Sequence, residues 1–505
     1  MAVGEAPGAR VSALPTRYCW LLLLLTPLLA GGAVVGDEAL LLTLVHGFDA
    51  SGLTFADYAR EPGGWYIFHH TLWYGILYAT THVVDLLHAS PLLVEAIVSC
   101  ETVAAALAGI ALCYVFLVRR LQLGPTRSAA TVLVYFAGGY GVYTFCMGGQ
   151  AESYMVLIMA ARLFFVEPGI VNSKSQGWKL AVADSLLVAF KAYSVLFVVL
   201  TLPLFWGRAS RTERLRYLGV LGILMLLLAA VKIWIWNPPT AYLGLGFSNT
   251  PQIFLNLAEE IGSPWTGLPF CLPALFVLFW SPKTLRKDLA IKVVGLLGCM
   301  AFFSRYAFFD GNTPGGRYIF PFTVSLLPEL AAAISVLFSR HPRTSWLIPV
   351  VIVLFLPVCI FGFPFFSRHA FPARGPCQQV HPVLYSWKVA IAKISHQSNI
   401  QICYYGENFV LPARDVASPR LGPWRVAYLL EGGHSAYYRE ATHDQVQRQH
   451  DLWGTELSQR LASMGLGNPY LWRGLGLIPA ILAFWLSIWV ALRINTSDRP
   501  MPQVR

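Results

Sequence analysis

The chain has 505 residues, of which 56% are apolar and only 12% are charged, and its mean hydropathy is +0.55. Soluble domains carry roughly 25% charged residues, so about half of the charge that a water-exposed surface needs is lacking. The composition therefore excludes an ordinary soluble protein. The apolar runs are long and unbroken rather than alternating, which favours membrane-spanning helices over the strands of a barrel.

The net charge of +11 does not indicate a nucleic-acid partner. The basic residues lie in short loops between apolar runs, where the positive-inside rule predicts cytoplasmic Lys and Arg. Arg10 and Arg17 precede the first run, so the N-terminus is expected in the cytoplasm. The only Asn-x-Ser/Thr sequence, at Asn495, falls on the cytoplasmic side and favours a bacterial inner membrane over the endoplasmic reticulum. Cys377 and Cys403 would form a disulfide if their segment faces an oxidising compartment.

The apolar runs predict an all-α polytopic membrane protein of about 11 to 12 membrane helices. Residues 179–208 carry too few apolar residues for two full spans, yet basic residues stand at both ends. We therefore predict two short helices that meet partway through the membrane near Lys191. The other predicted spans are 18–36, 91–118, 129–147, 154–166, 218–236, 268–280, 289–303, 318–338, 346–366 and 474–492.

Three regions are predicted along the chain. Residues 1–366 form a transmembrane core with a long first outer loop, 37–90. Residues 367–473 are polar and mix helical with strand-like patterns, which predicts a small α/β or irregular domain on the outer face. Residues 474–505 form the last transmembrane helix and a cytoplasmic tail.

Two outer loops are predicted to present carboxylates at the same depth. Asp37 and Glu38 directly follow the first span, where the simplest interpretation is a helix cap. Glu152 lies in the short sequence GGQAESYM, predicted as the loop between the third and fourth spans. Carboxylates that share one cleft at the membrane surface suit base catalysis on a hydroxyl, or the binding of a divalent cation.

Cations are predicted on the same side. Arg305 and Arg317, the latter followed by Tyr318, stand at the two ends of an outer loop and suit the binding of a phosphate. Interfacial anchoring is the alternative for these residues. Lys191 lies in the middle of the membrane and requires an anion or a water-filled cavity. Asp184 would be a structural partner for it, and a lipid phosphate would be a functional one.

The densest histidine group follows Trp65, in an aromatic and amphipathic run suited to the membrane interface. His69 and His70, with His82 and Asp85 downstream, could contact an acceptor or a metal ion. Their spacing fits no firm ligand motif, and histidines that simply lie at the interface are the alternative.

Four short motifs, in this order, resemble the GT-C superfamily of membrane glycosyltransferases, which use polyprenyl-phosphate-linked sugars. They are GDEALL with Asp37 and Glu38, QAESY with Glu152, AFKAYSVLF around Lys191, and GGRYIFPF with Arg317 and Tyr318. The resemblance covers residues 18 to about 366. No HEDRF-type signature and no WWDYG-type motif is present, which disfavours the two branches that carry them.

The resemblance implies an inverting sugar transfer to a hydroxyl on the extracytoplasmic face, with a glycan, lipid or protein as acceptor. Asp37 would be the general base, and Glu38 and Glu152 would orient the acceptor or hold a divalent cation. The donor phosphate would be bound by Arg317, Arg305 or Lys191, with membrane lipids around the polyprenyl chain.

Three other functions remain open on the sequence. A transporter or lipid flippase would have broken helices in pseudo-symmetric halves, and no matching pair of interrupted segments is evident. A membrane-bound O-acyltransferase would use His69 or His70 as its base. A scaffold subunit would retain the layout without catalysis.

Overall fold

The computed structural model describes residues 70–85, 91–136, 151–166, 176–234, 274–303 and 316–340, with isolated positions at 254–272 and 482–489. These residues form helices joined by short turns, so the prediction of a helical protein is confirmed for them. Asp37, Glu38, His69 and Arg305 lie outside the described residues. So do the first predicted span, the predicted outer domain 367–473 and its two cysteines.

Eleven α-helices are named here, all within the described part of the chain. The first six are α1 (Thr71–Asp85), α2 (Pro91–Val115, continued by a π-helical turn, Phe116–Arg120), α3 (Pro125–Phe136), α4 (Ala151–Val166), α5 (Gln176–Phe190) and α6 (Ser194–Trp206). The others are α7 (Arg211–Trp234), α8 (Ala274–Val277), α9 (Arg286–Phe303), α10 (Gly316–Thr323) and α11 (Leu327–Arg340). Short 3₁₀ turns occupy Leu278–Trp280, Lys283–Leu285 and Val324–Leu326.

Three stretches of the described chain are long and apolar enough to cross a membrane: Cys100–Arg120, Arg211–Trp234 and Tyr318–Leu337. They overlap the predicted spans 91–118, 218–236 and 318–338. Described residues that are helical and include such stretches are those of a helical membrane protein. The predicted total of membrane helices stays a prediction.

Helices α2 and α4 pack closely at the centre of the main core. A Cβ atom added to Gly109 of α2 would lie 3.1 Å from Val156 Cγ1 and 3.2 Å from the Leu157 backbone, so the glycine permits this approach. Close contact through small residues is typical of helix packing in membranes, where lipid is as apolar as the helix surface. Trp73 and Tyr74 of α1 are buried in the same core.

The end of α10 is fixed by α3. The hydroxyl of Tyr135 lies 2.5 Å from Thr323 Oγ1, and its ring stacks on Phe320 with 5.6 Å between centroids. The helix changes to a 3₁₀ turn at Val324–Leu326 directly after this contact, and then continues as α11.

Helices α5 and α6 form the predicted pair of short helices, with 15 and 13 residues. The backbone N–H of Gly177, at the start of α5, donates to Glu213 Oε2 in α7 at 2.7 Å. Because α7 begins shortly after α6 ends, the two open ends of the pair lie together and the chain forms a hairpin. At 1.5 Å per residue the hairpin is about 20 Å deep, less than the roughly 30 Å of a hydrocarbon core.

Candidate functional site

Glu152 lies in the first turn of α4, with its side chain fully buried. The prediction that Glu152 belongs to a loop is wrong, because α4 begins at Ala151 rather than at Tyr154. A carboxylate in the first turn is favoured there by the unpaired N–H groups and the positive end of the helix dipole.

Lys191 lies at the tip of the α5–α6 hairpin, where its Nζ atom is 3.1 Å from Glu152 Oε1. Its side chain is 2% exposed. The Lys191 backbone N–H donates to the Leu187 carbonyl, and its carbonyl accepts from the Ser194 N–H. The turn is therefore hydrogen-bonded on both sides of Lys191, which fixes the base of the side chain. Asp184, the structural partner that the sequence suggested, does not pair with Lys191.

Tyr318 closes the other side of the ammonium group. Lys191 Nζ lies 5.0 Å from the centroid of the Tyr318 ring, within the range of a cation–π interaction. The Tyr193 hydroxyl donates to the Tyr318 carbonyl at 3.2 Å, which ties the hairpin tip to the start of α10. Arg317 precedes Tyr318 in α10, and its side chain lies outside the described residues.

An aromatic row leads from α1 to the hairpin tip. The Tyr154 ring stacks on Phe190, next to Lys191 in sequence, with centroids 5.3 Å apart. The Trp73 ring lies 5.2 Å from Tyr154 on its other side. The row is part of the buried core, so it excludes water from the flank of the Glu152–Lys191 pair.

His70 is buried just before α1, and its carbonyl accepts from the Tyr74 N–H. His82 and Asp85 belong to α1, but their side chains are outside the described residues. Among the described residues, no group of three or more His, Cys, Asp or Glu side chains is placed to hold a metal ion. The predicted metal contacts of His69 and His70 stay a prediction.

Several buried polar atoms that make no hydrogen bond among the described residues belong to Glu152, Lys191 and residues near them in sequence. In the described part of the chain, Lys191 Nζ and the Glu152 carboxylate form a close ion pair, but their atoms are not aligned for a hydrogen bond. Ser153, next to Glu152 in sequence, and Ser194, three residues after Lys191, also carry buried hydroxyls that make no hydrogen bond to the described residues. An unpaired buried polar group costs about 1–3 kcal/mol, which makes such a cluster uncommon outside binding sites. Chemically, the ammonium group offers three N–H donors to an anion.

Sequence reasoning missed two further buried ion pairs. Arg162 Nε lies 2.6 Å from Asp184 Oδ1, and Lys292 Nζ lies 2.8 and 3.0 Å from the two oxygens of Glu329. A charged residue inside an apolar run, such as Arg162 or Glu329, signals a required partner. The partners are 22 and 37 residues away in sequence, so the sequence did not identify them.

Comparison of the chain with protein-family models, with curated proteins and with solved structures gives no match.

Proposed function

We propose that the protein is a membrane glycosyltransferase of the GT-C type, which transfers a sugar from a polyprenyl-phosphate donor to a hydroxyl acceptor with inversion. The proposal rests on the contacts that Lys191 makes with Glu152 and with Tyr318. These residues belong to three of the four motifs on which the resemblance rests, and they are far apart in sequence. The reaction would take place on the extracytoplasmic face, with a bacterial inner membrane as the proposed location.

The buried ammonium group suits a lipid-linked donor. A polyprenyl chain must stay in the hydrocarbon region while its phosphate finds a cation nearby. Lys191 provides a cation at the tip of a hairpin that is shorter than the membrane is thick. Arg317, next to Tyr318 in sequence, and Arg305 would add guanidinium donors, which bind phosphate oxygens in pairs.

The proposed chemistry is a single displacement. The acceptor hydroxyl attacks the anomeric carbon, and Asp37 takes its proton as general base. The bond from the anomeric carbon to the phosphate oxygen breaks, and the polyprenyl phosphate leaves as an anion stabilised by Lys191 and the two arginines. Glu38 would orient the acceptor or bind a divalent cation. Glu152, which lies against Lys191, would position the ammonium group.

Asp37→Asn tests the proposal, because the amide has nearly the same shape and cannot take the proton. We expect the variant to be produced normally and to lose transfer by about 10²–10⁴-fold, the usual contribution of a general base. Glycolipids and glycans are compared by mass spectrometry in membranes with wild-type protein, with the variant and without the protein. Full transfer by the variant would remove Asp37 as the base, and no new glycoside with the wild type would reject the transferase.

A lipid flippase is the second candidate, and the interrupted helices favour it. The break between α5 and α6 contacts the segment that is interrupted at Val324–Leu326, through Tyr193 and Tyr318. Discontinuous helices that meet near the middle of the bilayer are typical of transporters. In reconstituted vesicles, movement of a labelled prenyl phosphate between leaflets without any covalent product would decide for this function.

A further inference from the structure

The three buried ion pairs of the described residues differ in their hydrogen bonding. Lys292 donates two hydrogen bonds to Glu329. Arg162 donates to Asp184 and to Thr201, at 2.6 and 3.2 Å. The Glu152–Lys191 pair is equally buried but contains no hydrogen bond, although its atoms are 3.1 Å apart. Two pairs thus have the geometry of structural cross-links, and the third does not.

We propose that Glu152 is an internal counter-ion of Lys191, and that the phosphate group of an amphiphilic lipid displaces it. This inference rests on the proposed function for the identity of the anion. In the resting protein the carboxylate neutralises the buried ammonium group. A lipid phosphate replaces it as the partner of Lys191, and Glu152 moves out of the ionic contact. Glu152 acts through Lys191 and is therefore a positioning residue.

The exchange replaces one anionic partner of Lys191 by another, and the released Glu152 carboxylate remains at the positive end of the α4 helix dipole. The resting contact between Glu152 and Lys191 lacks a hydrogen bond, whereas a phosphate oxygen can accept charge-assisted hydrogen bonds from the ammonium group. Tyr318 keeps its contact with the ammonium group during the exchange, since it lies 5.0 Å from Nζ in α10 rather than in α4. Ser153, next to Glu152 in sequence, and Ser194, whose N–H donates to the Lys191 carbonyl, carry buried hydroxyls without a hydrogen bond to the described residues.

A lipid is favoured over a free anion by the position of the site. The hairpin is about 20 Å deep, so its tip lies at a depth in the hydrocarbon core from which inorganic phosphate is excluded by its hydration. The ligand class is therefore a phosphate ester with an apolar tail, such as a prenyl phosphate.

The test measures binding of radiolabelled farnesyl phosphate to the full-length protein in nanodiscs, with inorganic phosphate as the competing free anion. We expect Glu152→Gln to lower the dissociation constant at least tenfold, because it removes the competing carboxylate. Lys191→Gln should abolish binding. Glu329→Gln is the matched control: it removes the acid of another buried pair, and we expect a change in affinity of less than twofold. Binding is normalised to the folded fraction, measured by gel filtration.

Three outcomes overturn the inference. Unchanged or weaker binding by Glu152→Gln means that the carboxylate does not compete for Lys191. Equal competition by millimolar inorganic phosphate rejects the lipid ligand. If neither Glu152→Gln nor Glu152→Asp folds, Glu152 is a structural partner of Lys191 rather than an exchangeable counter-ion. The transferase is judged separately by sugar transfer: tighter binding by Glu152→Gln without transfer by the wild type keeps the inference and rejects the transferase.

Discussion

Arg162 and Asp184 form a buried ion pair between α4 and α5, and the surrounding side chains complete their hydrogen bonding. Asp184 Oδ2 accepts from the Tyr217 hydroxyl at 2.9 Å, and Arg162 donates to Thr201 at 3.2 Å. The network therefore joins α4, α5, α6 and α7 at one depth. A buried charge without such partners strongly destabilises the folded state. The network therefore stabilises the protein mainly by avoiding the cost of an unpaired buried charge.

Truncation of Asp184 should lower the free energy of unfolding far more than loss of the Tyr217 hydroxyl. Asp184→Ala leaves the Arg162 guanidinium buried and unpaired, and we expect a loss of about 3–5 kcal/mol in the free energy of unfolding. Tyr217→Phe removes one hydrogen bond and should cost about 1 kcal/mol. Reversible unfolding of both variants in the same micelles measures the difference. A loss of only about 1 kcal/mol for Asp184→Ala as well would show that the ion pair is dispensable.

The sequence identified the charged residues at the hairpin tip but not their pairing. Lys191 was expected to need an anion because it lies in an apolar run, and this requirement is met by Glu152. The cleft that Glu152 is predicted to share with Asp37 stays a prediction, because Asp37 lies outside the described residues. Spacing along the helix suggested Asp184 as the partner of Lys191, whereas the packing of α4 on α5 directs that carboxylate to Arg162.

At the scale of elements, the hairpin is supported by α9 through two glycines. A Cβ atom added to Gly295 would lie 2.9 Å from Thr201 Cγ2 and 3.3 Å from the Phe197 ring, and one added to Gly298 would meet Leu200. Helix α6 has only 13 residues, and close packing on α9 positions it together with the hydrogen bond from Arg162 to Thr201.

Gly295→Ala should therefore loosen the hairpin, although alanine is the better helix former. We expect a loss of about 1–3 kcal/mol, because overpacking of a close helix contact outweighs the gain in helix propensity of about 1 kcal/mol. Gly219→Ala in α7 is the matched control, since no atom lies within 4 Å of its added Cβ, and it should be neutral or stabilising. Thermal unfolding of both variants makes the comparison; the same midpoint for both would exclude the tight contact.

The hairpin itself could be predicted, because its apolar residues are too few for two spans and basic residues stand at both ends. The three candidate spans could also be predicted, because length and hydropathy can be read from one continuous stretch of sequence. The partners of α6 could not be predicted. Gly295 and Gly298 are unremarkable in sequence, and their role appears only when Phe197, Leu200 and Thr201 lie against them.

At the scale of the whole molecule, the candidate spans differ in their surroundings. In Cys100–Arg120 and Tyr318–Leu337, 83% of the most apolar window is buried inside the protein, against 11% in Arg211–Trp234. Helix α7 thus exposes large apolar side chains such as Ile223, Leu226 and Ile233. In a membrane protein an apolar face of this kind is solvated by lipid, so α7 forms the periphery of the described bundle.

The hairpin geometry predicts that the two ends of the α5–α6 pair face the same side of the membrane. Trp178 at the start of α5 and Ser210 directly before α7 should lie on the same side of the membrane, because Gly177 is hydrogen-bonded to Glu213. The basic residues nearby, among them Arg211 and Arg214, indicate that this side is cytoplasmic. A single kinked span from α5 to α6 would instead place Trp178 and Ser210 on opposite sides.

Single cysteines at these positions, in a variant whose native cysteines are replaced, distinguish the two arrangements. Both residues are exposed, so Trp178→Cys and Ser210→Cys should each react with a membrane-impermeant maleimide. We expect both to be labelled in inside-out vesicles and neither in intact cells. If Trp178→Cys and Ser210→Cys are labelled from opposite sides, α5 and α6 form a single kinked span and not a hairpin. The Glu152–Lys191 contact would then not lie at the tip of a re-entrant segment. The proposed lipid-phosphate site, which depends on that position, would be excluded.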